Sequence, residues 1–222
     1  MPTATRSQVT IETGGVELVG DLRLAEHTTA LVVFAHGSGS SRHSPRNQYV
    51  ANVLVQAGLG TLLFDLLTEE EEAIDARTGH LRFDIDLLAR RLAGVTDWAR
   101  EEHELRGMAL GYFGASTGAA AALVAASRRP GLVKAIVSRG GRPDLAGDAL
   151  DIVRAPTLLI VGERDVEVLA LNEAALTHLG RLSQIRVVPG ATHLFEEPGA
   201  LDTVAALARD WFVRHLLPAT PA

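Results

Sequence analysis

The sequence predicts an α/β fold: a mostly parallel, doubly wound sheet opened by an antiparallel hairpin. Three observations carry this expectation. Short apolar runs recur along the chain, and most are continuous rather than alternating. Stretches of helical periodicity lie between them. The opening segments instead alternate polar with apolar residues around a Gly-Gly pair.

Val9 and Ile11 alternate with polar neighbours, Gly14-Gly15 intervene, and Val16, Leu18, Leu22 and Leu24 resume with period two. This predicts a hairpin with one buried face. "ALVVFA" (30–35), "TLLF" (61–64), "MALGYF" (108–113), "LVKAIV" (132–137), "TLLIV" (157–161) and "IRVV" (185–188) read as strands covered on both faces. Ile85, Leu88, Leu92, Val95 and Trp98 recur at three- and four-residue intervals, as do Val204, Leu207, Ala208 and Trp211. Each set marks one face of a helix. A further helix follows Pro45 and stops at Gly58, a position suited to a left-handed cap. The acidic run Glu69–Glu72 reads as a solvated loop. No repeat or linker divides the 222 residues, so one domain is expected over 1–222.

Composition narrows the function. A net charge of -6 without a polybasic run gives no nucleic-acid surface. The absence of cysteine excludes disulfides, thiolate metal sites and a cysteine nucleophile. "MPTATRSQVTIETGG" lacks the apolar core of a secretory signal and no apolar run is long enough to span a bilayer, so a cytoplasmic location without a membrane partner is expected. Gly37-Ser38-Gly39 follows a strand as a dinucleotide fingerprint would, but Arg42 occupies the place of its third glycine. His36 and His43 lack a supporting carboxylate–histidine spacing. Neither a cofactor nor a metal is predicted, and oligomeric state is left open.

The chemistry gathers around "GYFGASTGAAAALVAAS" (111–127), where Ser116 lies between Gly114 and Gly118 at a strand-to-helix junction. Such a G-x-S-x-G turn strains the serine backbone, so residues two positions away must be small. With 9 serines and 21 glycines in the chain, about 0.08 accidental matches are expected. Ser116 is therefore the predicted nucleophile. A serine needs a base, and of eight histidines His193 alone lies in a loop after the last strand, "VVPGATHLFEEPG". "TLLIVGERDVEV" offers Asp165 as the carboxylate that orients it, with Glu163, Glu167 and Asp144 as rivals and helix capping as its plainer role. The chain order Ser, Asp, His has spacings of 165 − 116 = 49 and 193 − 165 = 28 residues. Backbone N–H groups of Thr117 and Ser38 are the expected oxyanion donors. Arg42 and Arg139, at strand ends, are candidates to bind a substrate carboxylate.

With "HGSGS", "GASTG", "GERD" and "GATH" in this order, the chain from about Val9 to about Leu217 resembles the α/β-hydrolase fold, and within it the dienelactone hydrolase-like group. The resemblance implies a Ser116–Asp165–His193 triad, Ser38 and Thr117 as oxyanion donors, and cofactor-free hydrolysis of small esters or lactones. Two features depart from the group: its members proper use a cysteine nucleophile, and they carry a glutamate where this chain has Gly37. Their substrate and their arginines are therefore not carried over. Only 19 residues (138–156) separate two of the strands where many such enzymes insert a helical lid, so an open site is expected. Two other readings compete with a lidless esterase: a non-catalytic binding module on the same fold, and an acyltransferase or perhydrolase using the same triad.

Overall fold

The computed structural model describes residues 4–218. Eight strands, β1 (Ala4–Thr13), β2 (Val16–Ala25), β3 (Ala30–Ala35), β4 (Gly60–Phe64), β5 (Ala109–Ala115), β6 (Val133–Arg139), β7 (Thr157–Gly162) and β8 (Gln184–Val188), form one sheet. Its order is β1-β2-β4-β3-β5-β6-β7-β8. β1 and β2 pair antiparallel across Gly14-Gly15, β2 meets β4 antiparallel, and every later pairing is parallel. The hairpin and the doubly wound body are thus those the residue patterns predict.

Helices α1 (Pro45–Gln56) and α7 (Ala200–Leu216) cover one face of the sheet. The other face is covered by α3 (Ile85–Glu101), α4 (Thr117–Arg128) and α6 (Val166–Leu176), with α5 (Ala149–Ile152) beside them. Continuous apolar strands follow from this. On β5, Leu110 and Tyr112 pack into the α3/α4 layer while Phe113 packs into the α1/α7 layer, its ring 4.8 Å from that of Phe34. Each fully buried side chain of this size contributes about 1.5–3 kcal/mol. The central strands therefore fix the positions of everything mounted on their ends.

Two local expectations are corrected. Glu69–Glu72 is not a loop but the first turn of α2 (Glu69–Thr78). Thr68 caps it: its hydroxyl accepts from Glu71 N–H, and the Glu71 carboxylate accepts from Thr68 N–H. Four acidic residues at the positive end of the helix dipole then stabilise it. β8 is not covered on both faces. It is the sheet edge, and Arg186 and Val187 are exposed. Between β6 and β7 lie only a 3-10 turn, Pro143–Ala146, and the four-residue α5, so no lid stands over this region. Gly58 follows α1 with φ 85°, the left-handed geometry its sequence position suggests.

Candidate active site

Five neighbouring parallel strands, β3, β5, β6, β7 and β8, lead into the loops that carry the candidate residues. Ser116 follows β5 directly, with φ 51° and ψ −121°. From Leu110 to Leu123 it is the only residue that escapes burial. A non-glycine at positive φ costs on the order of 1 kcal/mol or more and needs its surroundings to hold it. Here Ser116 N–H donates to Arg139 O at 3.2 Å, while Ser116 O accepts from Ala119 N–H at 3.1 Å and Arg142 N–H at 3.2 Å. The glycines make the close packing possible. A β-carbon on Gly114 would lie 2.4 Å from Ala119 Cα, and one on Gly118 would lie 2.2 Å from Ala35 O. Although Ser116 stands at the N-cap of α4, its hydroxyl makes no capping bond. The turn leaves that oxygen free.

His193 lies in the loop between β8 and α7, and its Nδ1 is 2.6 Å from Asp165 Oδ2. Asp165 begins α6 yet its side chain does not cap the helix; its carboxylate goes to the imidazole instead. The Asp165 side chain is 15% exposed and that of His193 37%, so the acid is shielded while the ring remains reachable. With Asp165 holding Nδ1–H, Nε2 is the free basic nitrogen. Two of the three rival acids are engaged elsewhere: Glu163 accepts from Gly190 N–H at 2.7 Å, and Asp144 pairs with Arg142 at 2.7 Å. The imidazole reaches the Ser116 turn across Gly140. A β-carbon there would lie 3.4 Å from His193 Nδ1, and Gly140 directly follows Arg139, whose carbonyl receives Ser116 N–H. Among the described residues the Ser116 hydroxyl takes no hydrogen-bond partner, and the recorded bond of the His193 ring is the one to Asp165. The bond between a nucleophile and its base tightens when substrate binds.

On the β3 side, Gly37 abuts Ser116: a β-carbon on it would lie 3.1 Å from Ser116 Cβ. This brings the backbone of exposed Ser38 to the turn. His36 anchors that loop from below. Its Nε2 accepts from Leu66 N–H at 3.1 Å, which places the ring proton on Nδ1, 3.0 Å from Gly37 O. Burial holds its pKa below the ordinary 6.5, outweighing the Gly37 contact and the Asp65 charge. Because the folded value is the lower one, stability is complete above about pH 6.5 and is lost as pH falls toward the folded pKa. A two-temperature-scan comparison should therefore show melting temperature falling below pH 6.5 in the wild type, with a contribution of about 1.4 kcal/mol per pH unit for one proton. His36→Gln should flatten that slope; an unchanged slope would contradict the neutral buried ring.

A cleft of about 560 Å³ opens over this end of the sheet, lined by Ser38 and Thr117, apolar Leu66, Leu67 and Leu88, and Glu72 of α2. Ser116, Asp165 and His193 are not among its lining residues. Arg42 is no free clamp: its guanidinium pairs with Asp65, whose Oδ1 also accepts Arg42 N–H at 2.7 Å. Arg139 is buried at 8% exposure. Several supporting residues carry no sequence motif. Glu197 accepts from Thr192 N–H and Oγ1, bracing the His193 loop. Asn172 donates to Gly141 O at 2.9 Å, holding the turn that presents Gly140. The Gly140-Gly141 pair was the one visible sign of that close approach.

Residues 24–216, which include every group described above, match the family Dienelactone hydrolase. The chain belongs to the dienelactone hydrolase family. The crystal structure of a dienelactone hydrolase from Anabaena variabilis is 58% identical, with a TM-score of 0.95 over 96% of this chain and 99% of that one. Est1E from Butyrivibrio proteoclasticus shares the fold at 15% identity, with a TM-score of 0.79 over 93% of this chain and 98% of its own. Two Mycobacterium tuberculosis proteins carrying the provisional name phosphoribosyl transferase are 56% identical over 221 residues. That match covers 100% of this chain but 49% of theirs, so the chain spans about half the length of those relatives.

Proposed function

We propose that the protein is a serine esterase that cleaves small carboxylic esters or lactones through an acyl-enzyme. The observation that carries this reading is the Asp165–His193 hydrogen bond of 2.6 Å, with the imidazole against Gly140, at the sheet end where a serine is held at positive φ with its hydroxyl unused. His193 Nε2 takes the Ser116 proton as Oγ attacks the ester carbonyl, and a tetrahedral oxyanion forms. Thr117 N–H at the α4 N-terminus and Ser38 N–H stabilise that oxygen. The imidazolium, steadied by Asp165, then protonates the departing alkoxide as the C–O bond breaks. Water, deprotonated by the same nitrogen, releases the acid and restores Ser116. Small or exposed acyl groups suit a site with no lid.

The test is labelling with a fluorophosphonate and turnover of short p-nitrophenyl esters. A covalent adduct on the peptide containing Ser116, with turnover of the acetate or butyrate, is expected. A well-folded protein that neither labels nor cleaves any short ester or lactone would instead support a binding module.

A further inference from the structure

β8 is the sheet edge, so the segment 189–199 that leaves it for α7 has no strand on its outer side to fix it. That segment carries His193, whose position must come from other contacts. The end of β7 supplies the first set. Glu163 N–H donates to Val188 O at 3.0 Å, Arg164 N–H donates to Ala191 O at 2.9 Å, and the Glu163 carboxylate accepts from Gly190 N–H at 2.7 Å. Gly162 lets the two segments touch: a β-carbon on it would lie 2.4 Å from Ala191 O and 2.7 Å from Thr192 O. Past Ala191, this side contributes the bond between Asp165 and the imidazole itself.

A second set closes on Thr192 from the other side of His193. Glu197 Oε1 accepts from Thr192 N–H at 3.1 Å and from the Thr192 hydroxyl at 2.7 Å. Thr192 O accepts from Phe195 N–H at 3.2 Å, so every polar group of Thr192 is engaged within the 192–197 turn. Phe195 is buried and held at φ 56°, a conformation that a non-glycine residue keeps only where its surroundings impose it. Glu197 O accepts from Ala200 N–H at 3.0 Å and ties the turn to the start of α7. The Thr192 hydroxyl, then the backbone N–H groups of Glu197 and Thr192, hold the Glu197 carboxyl below its ordinary 4.5, so the acceptor is ionised at neutral pH. Thr192 is exposed, and water can replace an exposed hydrogen bond at little cost in stability. What the turn fixes is the residue it encloses, His193.

We propose that Glu197, acting through Thr192, is a positioning residue for His193: the closed 192–197 turn holds the imidazole on Asp165 and sets the rate of the proton transfers it makes. The kinetic consequence rests on the esterase reading, and the experiment separates the two. Glu197→Ala, Glu197→Gln and Thr192→Val are compared with wild type in kcat and KM for p-nitrophenyl butyrate and in melting temperature. Proton NMR follows the imidazole N–H bonded to Asp165, which a bond of 2.6 Å to a carboxylate should carry far downfield of the amide signals. Asp165→Asn assigns that signal by removing it.

Glu197→Ala should lower kcat by about 10- to 100-fold with KM changed less than about twofold, the loss expected when a reacting group is displaced by up to about 1 Å. It should also lose the downfield proton. Glu197→Gln keeps an oxygen acceptor, so it should keep that proton and stay within about threefold of wild-type kcat. Thr192→Val removes the hydroxyl and leaves the N–H, and kcat should fall about fivefold. Added to Glu197→Ala, it should cost nothing further, because both changes break one contact. If Glu197→Ala keeps both kcat and the downfield proton, the proposal is overturned, and a lower melting temperature alongside them makes Glu197 a structural residue only. Equal losses in the alanine and glutamine variants would overturn it too. If wild type cleaves no ester but its downfield proton depends on Glu197, the positioning role stands and the esterase reading fails.

Discussion

Ser116→Ala should lower kcat/KM for short p-nitrophenyl esters by about 10⁴- to 10⁶-fold, leaving only what binding and the oxyanion donors provide. The same substitution should shift the melting temperature little. The Ser116 hydroxyl caps nothing, and alanine bears the same positive φ that serine does. This contrast is informative. Loss of activity with an unchanged fold separates a nucleophile from a residue that shapes the turn. Retention of ester turnover in the alanine variant would remove Ser116 from the chemistry, and the roles of Asp165 and His193 with it.

Gly118→Ala should be the most damaging single methyl group in the chain. At an ordinary helical position, replacing glycine by alanine stabilises by about 1 kcal/mol. At Gly118 the added carbon would meet three backbone atoms: Ala35 O at 2.2 Å, His36 O at 2.4 Å and Ala35 C at 2.7 Å. Backbone cannot rotate away as a side chain can. The overlap must separate α4 from β3 and should reverse the sign, costing about 3 kcal/mol. Because β3 leads into the Ser38 loop, ester turnover should fall along with stability. Gly131→Ala provides the comparison. A β-carbon there meets nothing within 4 Å, and only its φ of 80° opposes the change, so about 1 kcal/mol is expected. Denaturant midpoints for the two variants measure the difference. Equal midpoints would show that the junction is not sterically locked.

Much of the fold was legible because the relevant information is local. The hairpin declares itself in alternation around Gly14-Gly15, and the central strands in continuous apolar runs shielded on both sides. The strained turn at Ser116 was legible for the same reason, since the glycines that permit its φ lie two residues away. What depends on distant partners was not. Arg42 looked like a free cation at a strand end, and only the fold brings Asp65 to it from 23 residues away. Glu197 and Asn172 support the site through contacts that no spacing announces. The edge position of β8 follows from strand order rather than from its own residues. The helix at Glu69 is a different failure. Thr68 and Glu71 spell a capping box in the sequence itself, while four consecutive charges are equally compatible with a solvated loop.

Ala119, Ala120, Ala121 and Ala122 are all fully enclosed directly after the Ser116 turn. A larger side chain at any of them would have to displace packed neighbours, so the layer under Ser116 leaves little to reshape. Altered substrate preference, whether by natural drift or by engineering, must therefore come from the rim: the 36–46 segment, α2 and the turn at Gly140. Relatives that differ in what they accept should look alike below Ser116 and diverge above it.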